Sequence, residues 1–213
     1  MPGMVGADLF LGCAPQKRIT DEGFMSHGYG SNALKSTGIL AMLMGLGYLG
    51  NYFSIPLFFG ADILCGSIAV LIIVSLHGWH WGLLASLIVS SCTYTLWRHP
   101  YAIITFSLEA LFVGLFLHFG KGKLLIVDAI FWLFIGMPSV WLFYGVLLGL
   151  DSVATSLIAL KQAVNGVCNA LLASLAINHL SLRKALGRPD AEKSISFNES
   201  MYNLLVAMVL IPT

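Results

Sequence analysis

Long apolar runs separated by short polar turns make up most of this chain. Six runs are long enough to cross a bilayer as helices, because about 20 residues rising 1.5 Å each cover the hydrocarbon core. They occupy residues 37–53, 62–77, 79–97, 100–119, 124–149 and 153–180. A seventh run, at residues 201–213, is too short to span. The pattern predicts an all-α fold, a polytopic membrane helix bundle with six transmembrane helices and a truncated seventh segment.

Polar stretches divide the chain into four regions. Residues 1–35 are rich in glycine and polar side chains, and they predict a poorly ordered cytoplasmic leader. Residues 36–180 form the predicted six-helix membrane domain. Residues 181–200 predict a polar cytoplasmic connector, and residues 201–213 predict the start of a further membrane helix.

Lysine and arginine are spread very unevenly between the two sides of the predicted bundle. With the N-terminus inside, nine basic residues fall on the inner side, Lys161 falls within the membrane and only Arg98 falls outside. The nine are Lys17, Arg18, Lys35, Lys121, Lys123, Arg183, Lys184, Arg188 and Lys193. This asymmetry predicts a multi-pass membrane protein with a cytoplasmic N-terminus.

The composition fits a lipid environment and narrows the range of partners. Of 213 residues, 58% are hydrophobic and 10% are charged, whereas soluble domains carry about a quarter charged residues. A net charge of +1 without a basic stripe argues against a nucleic-acid partner. The expected partners are membrane lipid and an unknown small-molecule ligand.

Two charged residues, Glu109 and Lys161, lie deep within apolar runs. Each is about 8 to 9 residues from the end of its run, which places it ~12–13 Å inside the membrane. A charge at that depth costs several kcal/mol unless it finds a partner or a polar cavity. Equal depth and opposite charge predict a buried ion pair, formed directly or through one polar side chain or water. The alternative is the polar floor of a ligand pocket.

A ligand pocket is also expected towards the outer ends of the helices, where polar groups and aromatic walls alternate. Lys161, Asn165 and Asn169 recur every four residues, so they share one face of the sixth helix. For each residue the competing interpretation is an interhelical hydrogen-bond network or an interfacial belt. The pocket candidates are Asn51, Asp62, Trp97, Arg98, His99, Glu109, Lys161 and Asn165.

Catalytic and metal chemistry have weak signals in this sequence. No nucleophile, base and orienting group fall together, so we expect no enzyme and no cofactor. His77 and His80 have the helical spacing of a metal pair, but a turn separates them and no carboxylate or thiolate lies beside them. They are an alternative only, and no metal site is predicted. Asp128 is expected to pair with Lys121 or Lys123.

Glycine and proline mark two special places. Gly136-Met137-Pro138 lies midway in the fifth run, where proline removes a backbone hydrogen bond and breaks the helix. In the first run, Gly45, Gly47 and Gly50, with Ala41 four residues before Gly45, predict a small-residue face for close helix contact.

Four long motifs give the chain a recognisable character. They are NYFSIPLFFGADILCGSIAVL (51–71), WGLLASLIVSSCTYTLWRHPYAIITFSLEALFVGL (81–115), DAIFWLFIGMPSVWLFYG (128–145) and LKQAVNGVCNALLASL (160–175). With these motifs the chain resembles the multi-helix integral membrane sensory domain at the N-terminus of bacterial multi-sensor histidine kinases and diguanylate cyclases. The resemblance implies a location in the bacterial cytoplasmic (inner) membrane.

The same resemblance implies a sensory input module that binds a small ligand or senses the membrane state. In proteins of that kind a polar segment and a further membrane helix lead to an extracytoplasmic domain and then to an output domain. Residues 193–213 are similar to that entry, so the chain is expected to be a fragment that ends before its output domain. Receptors of this type commonly signal as homodimers.

The six-helix layout is also similar to the S-component of energy-coupling-factor vitamin transporters. Such proteins bind a vitamin near the outer face and pair through small-residue motifs in their first helix. Ala41 and Gly45 match that motif. A substrate-binding transporter subunit is therefore the alternative function.

Overall fold

The computed structural model describes residues 22–56, 62–120 and 122–179, and within them the fold is all-helical apart from one two-stranded hairpin. In chain order the elements are α1 Glu22–Tyr52, β1 Ile55–Pro56, β2 Asp62–Ile63, α2 Gly66–His77, α3 Trp79–Ser90, α4 Cys92–Trp97, α5 Tyr101–His118, α6 Leu124–Phe131, π1 Trp132–Gly136, α7 Met137–Val140, π2 Trp141–Leu147 and α8 Ser152–His179. The strands are antiparallel and pair Ile55 with Ile63.

Membrane-helix character is confirmed for part of the predicted set. Among the described residues, three stretches are long and apolar enough to cross a bilayer: Tyr101–His118, Leu124–Leu147 and Ser152–Asn178. Each of the six predicted apolar runs forms helix, but the first three differ from simple spans. Helix α1 begins at Glu22, inside the predicted leader, and a turn at Ser91 separates α3 from α4.

Helix α2 differs most from its predicted span, because it starts at Gly66 rather than at residue 62. Its 12 residues cover only ~18 Å of a hydrocarbon core about 30 Å thick. The preceding residues are extended, and the reason is tertiary: asparagine side chains from other helices take the hydrogen bonds that a longer helix would have made.

The predicted break at Gly136-Met137-Pro138 is confirmed. A four-residue helical stretch, Met137–Val140, lies between two π-helical stretches there. Pro138 has no N–H to donate, so regular α-helical bonding does not pass through this point. Ser139 bonds the backbone nearby by donating its hydroxyl to the Ile135 carbonyl oxygen at 2.7 Å.

The core lies around α2, which packs against α1, α3, α5 and α8. Leu71 and Ile73 of α2 are completely buried, together with Val113 of α5. Large apolar side chains such as Phe134 and Leu157 are exposed on the outside of the bundle, which is compatible with membrane association.

The two ends of the bundle differ in character. The hairpin end carries the β1–β2 hairpin, the Trp97–Tyr101 corner and the turn before α8. The His77 end carries the α2–α3 corner and the start of α6. The connector at 181–200, the segment at 201–213 and residues 1–21 of the predicted leader lie outside the described residues.

Candidate functional site

A carboxylate with two donors lies at the centre of the bundle. Glu109 of α5 is 1% exposed. The Trp132 indole N–H donates to its Oε1 at 2.8 Å, and the Ser67 hydroxyl donates to its Oε2 at 3.2 Å. These bonds join α5 to π1 and to α2, and they fix the carboxyl group in one orientation.

A second carboxyl group, that of Asp128 in α6, lies beside Glu109. Asp128 is fully buried, and its charge acts directly on that of Glu109. Neither Asp128 oxygen makes a hydrogen bond of ordinary geometry within the described part of the chain. Two like charges that lie near each other repel strongly where water is excluded, so the arrangement disfavours ionisation of both carboxyl groups at once. We call Glu109 and Asp128 the acid pair.

Two glycines make room for the indole that reaches the acid pair. A Cβ atom built on Gly166 of α8 or on Gly136 of π1 would collide with the Trp132 ring. Trp132 is 1% exposed and packs edge-on against Phe106. Helix α8 therefore contacts the indole through the bare backbone of Gly166, and a larger residue there would displace the donor of Glu109.

The described contacts of Glu109 and Lys161 are with other groups, and the ion pair predicted between these two residues stays a prediction. The Glu109 oxygens accept from Trp132 and Ser67, while the Lys161 Nζ lies over the Trp97 ring, 5.6 Å from its centroid. The length of the lysine side chain lets the ammonium group reach an aromatic face well away from its own Cα.

The polar stripe on α8 holds the backbone of the hairpin-end segment. The Asn165 Oδ1 accepts from the Leu64 N–H at 3.2 Å, and its Nδ2 donates to the Leu64 carbonyl oxygen at 3.1 Å. The Asn169 Nδ2 donates to the same carbonyl oxygen at 2.7 Å. We call these contacts the asparagine clamp. They satisfy both backbone groups of a non-helical residue inside an apolar bundle, which such residues require.

Asn51 of α1 also binds backbone groups, one of them at Gly66, two residues after Leu64. Its Oδ1 accepts from the Gly66 N–H at 2.7 Å, and its Nδ2 donates to the Val89 carbonyl oxygen at 3.1 Å. A Cβ atom at Gly66 would collide with the Asn51 side chain, so glycine is required where α2 begins. Asn51 and Asn165 thus bind backbone groups on either side of Cys65, and their place in a ligand pocket stays a prediction.

Aromatic residues gather at the hairpin end around His99. The His99 ring stacks on Tyr101 and meets Tyr144 edge-on, with both centroid distances 5.1 Å, and stacks on Trp97 at 6.2 Å. Burial lowers the pKa of His99 below its usual 6.5, and its Nδ1 has no hydrogen-bond partner among the described residues. With the Lys161 ammonium over Trp97, these residues form what we call the His99 cluster.

Three of the eight pocket candidates therefore come together, namely Trp97, His99 and Lys161. Arg98 is exposed and in the left-handed region, with φ of 59°, where it ends α4. The side chain of Asp62 lies outside the described residues. Sequence reasoning missed Trp132 and assigned Asp128 to a lysine, although the glycine four residues after Trp132 was a signal for a tightly packed indole.

A cavity of about 460 Å³ lies at the His77 end of the bundle. It is lined by Val74, Ser75, Leu76, His77, Gly78, Gly114, Leu117, His118, Lys123, Leu124, Ser174, Ile177 and Asn178. His77 lines it, but exposed His80 stacks on Trp79 instead. Among the residues that the structure describes, no three histidine, cysteine or acidic side chains form a metal-binding group.

Comparisons with known proteins give no family. No family model, curated protein or solved structure matches the chain. The function proposed below therefore depends on the geometry of these sites and on the sequence motifs.

Proposed function

We propose that the chain is the membrane-embedded sensory input module of a bacterial signal-transduction receptor. In this proposal all six helical runs cross the inner membrane, the N-terminus is cytoplasmic and the hairpin end faces outward. The module binds a small ligand or responds to the membrane state, and an output domain elsewhere in the receptor performs the chemistry. The basic-residue asymmetry and the resemblance of the four motifs support this assignment.

The asparagine clamp is the observation that carries the proposal. It ties Leu64, next to the hairpin, to the middle of α8, more than 100 residues away in sequence. A displacement of the hairpin end therefore acts on α8 without an intermediate side chain. Helix α8 also contacts the indole of the acid pair at Gly166, so both buried polar groups act on the same helix.

The His99 cluster is the candidate for the stimulus site within this proposal. It offers stacked aromatic faces, a neutral imidazole nitrogen and one ammonium group, which suit a small planar or polar ligand. A ligand shifts a two-state protein only through its different affinity for the two states. The cluster includes Trp97 of α4 and Lys161 of α8. A movement of these two helices relative to each other would therefore change the affinity for the ligand.

Native mass spectrometry of the detergent-extracted chain tests ligand binding. A small molecule that copurifies with the wild type and is lost from Lys161→Met supports the proposal. The matched control is Leu160→Met on the exposed face of α8, which should retain it. Retention of the same molecule by Lys161→Met would remove the His99 cluster from the binding site.

Distance measurement tests the response of α8. Spin labels at Leu84→Cys on α3 and Leu172→Cys on α8, both exposed, report helix separation in a background without native cysteines. We expect the distance to change with the copurified ligand or between nanodiscs of short-chain and long-chain lipid, and the change to vanish in Asn165→Leu/Asn169→Leu. An identical distance in the wild type under all conditions would contradict a sensory role.

One observation favours the transporter subunit as a second candidate. Ala41 is exposed, and a Cβ atom at Gly45 would meet nothing within 4 Å, so the small-residue motif of α1 faces away from the bundle. Gly47, in contrast, packs against Val89 and Ala69. The genomic reading frame separates the candidates: continuation into a kinase or cyclase supports the sensor, and neighbouring genes for an ATPase pair and a coupling protein support the transporter.

A further inference from the structure

The cavity at the His77 end lies among four helices. The last turns of α2, α5 and α8 and the first turn of α6 line it. Its volume of about 460 Å³ falls in the range of small-molecule sites, roughly 300–1,000 Å³. The His99 cluster lies at the opposite end of the bundle, so this cavity is separate from the stimulus site proposed above.

The polar lining of the cavity is basic. Lys123 contributes an ammonium group, and His77 and His118 contribute two imidazoles, each of which has an N–H even when neutral. No aspartate or glutamate lines the cavity within the described part of the chain. Asn178 adds an amide donor, whereas the Ser75 hydroxyl already donates to the Leu71 carbonyl oxygen. The described lining thus offers several hydrogen-bond donors, and its one residue with a permanent charge is Lys123.

Backbone amides increase this positive character. Helix α6 begins at Leu124, and Lys123, which precedes it, provides no side-chain cap. The first α-helical bond from this start runs from the Val127 N–H to the Lys123 carbonyl oxygen, so the amides before Val127 have no partner within the helix. Aligned peptide dipoles place partial positive charge at such a start. Because Lys123 and Leu124 both line the cavity, this charge lies at its wall.

The remaining walls are apolar. Val74, Leu117 and Ile177 line the cavity beside the polar groups. Its volume is many times the ~30 Å³ that one water molecule occupies in the liquid. The space therefore exceeds what a simple oxyanion fills, and it suits an anionic head with an organic remainder.

We propose that the cavity at the His77 end binds a phosphate group, carried either by a soluble metabolite or by an anionic lipid headgroup. Lys123, His118 and Asn178 hold the phosphate oxygens, and the start of α6 faces the same charge. Phosphate fits because it accepts from several directions at once and because a lysine is an effective point charge for it. The apolar walls contact the remainder of the molecule.

The test uses the full chain in nanodiscs of a neutral galactolipid, which carry no phosphate. In the first arm, inorganic phosphate is titrated at constant ionic strength and binding is followed by ³¹P line broadening. In the second arm, the nanodiscs contain phosphatidic acid, and native mass spectrometry counts retained lipid. Saturable binding of inorganic phosphate in the first arm identifies a soluble phosphate as the ligand. Selective retention of phosphatidic acid, with no binding in the first arm, identifies a lipid headgroup. Binding in neither arm overturns the proposal.

Variants localise the binding. Lys123→Gln and His118→Gln should each weaken it about tenfold, the usual effect of losing one charge-assisted hydrogen bond. The matched controls are Arg98→Gln, an exposed charge at the opposite end, and His80→Gln, an exposed imidazole at the same end; both should bind as the wild type does. If Lys123→Gln does not fold, His118→Gln and Asn178→Leu decide the matter. Equal binding by the cavity variants and the controls overturns the proposal.

Discussion

The asparagine clamp and the acid pair are both buried polar groups of one apolar bundle, yet they differ in how completely they are satisfied. In the clamp, both the N–H and the carbonyl oxygen of Leu64 have partners, which Asn165 and Asn169 supply. In the acid pair, Glu109 has two donors, whereas both oxygens of Asp128 have none among the described residues. A fully satisfied buried network rigidifies one structure, whereas a buried polar group without a partner lowers the stability of the folded state.

Breaking the clamp should have the largest effect. Asn165→Leu/Asn169→Leu leaves the Leu64 N–H and carbonyl unpaired, and each buried unsatisfied group costs about 1–3 kcal/mol. We expect a loss of roughly 2–6 kcal/mol in the free energy of unfolding on that basis, measured by denaturation in mild detergent. The control is Leu160→Ala/Leu172→Ala on the exposed face of the same helix. A loss no greater than that of the control would show that the clamp adds nothing.

Double-mutant cycles should distinguish two residues that interact, Glu109 and Asp128, from two that lie at a similar depth in the bundle, Glu109 and Lys161. Glu109→Gln combined with Asp128→Asn should be non-additive by about 0.5–3 kcal/mol, as for residues in contact. Glu109→Gln combined with Lys161→Met should be additive within ~0.5 kcal/mol, as for independent sites. Stability of all variants is measured in the same detergent. Strong coupling in the second cycle would confirm the ion pair expected from the sequence.

Relieving the acid pair should raise stability. Asp128→Asn replaces a carboxyl group that disfavours the ionised form of Glu109 and offers an N–H to Glu109, so we expect a gain of about 1 kcal/mol. Asp151→Asn is the matched control, because Asp151 accepts from the Val153 and Ala154 N–H groups at the start of α8 and asparagine caps a helix equally well. A stability loss in Asp128→Asn would mean that the Asp128 charge is compensated in the folded protein.

The smallest effect concerns pH at the His99 cluster. Burial lowers the pKa of His99 in the folded protein, so the unfolded chain binds the proton more readily. The contribution of His99 is therefore fully present above the unfolded pKa of about 6.5 and is lost as pH falls below it. As pH falls from neutral to 5, the melting temperature of the wild type should therefore fall more than that of His99→Gln. If the difference between the two melting temperatures does not change with pH, His99 is as well solvated in the folded protein as in the unfolded chain.

The helical runs and the break at Pro138 follow from the sequence, because apolar length and a missing N–H act locally. The acid pair does not, because its formation depends on the rotation of α6 about its own axis, which neighbouring helices decide. Lys161 shows a second limit, since a long side chain reaches partners well away from its own Cα. The late start of α2 shows a third, because residues more than 100 positions away supply its missing bonds.

That late start also bears on how the protein is made. Leu64 leaves the ribosome 101 residues before Asn165, which at 5–20 residues per second is a delay of roughly 5–20 s. During this interval the Leu64 N–H and carbonyl oxygen have no partner from α8. These groups need other partners, such as water, until α8 has been made. The asparagine clamp is therefore expected to form late, after most of the described chain has been synthesised.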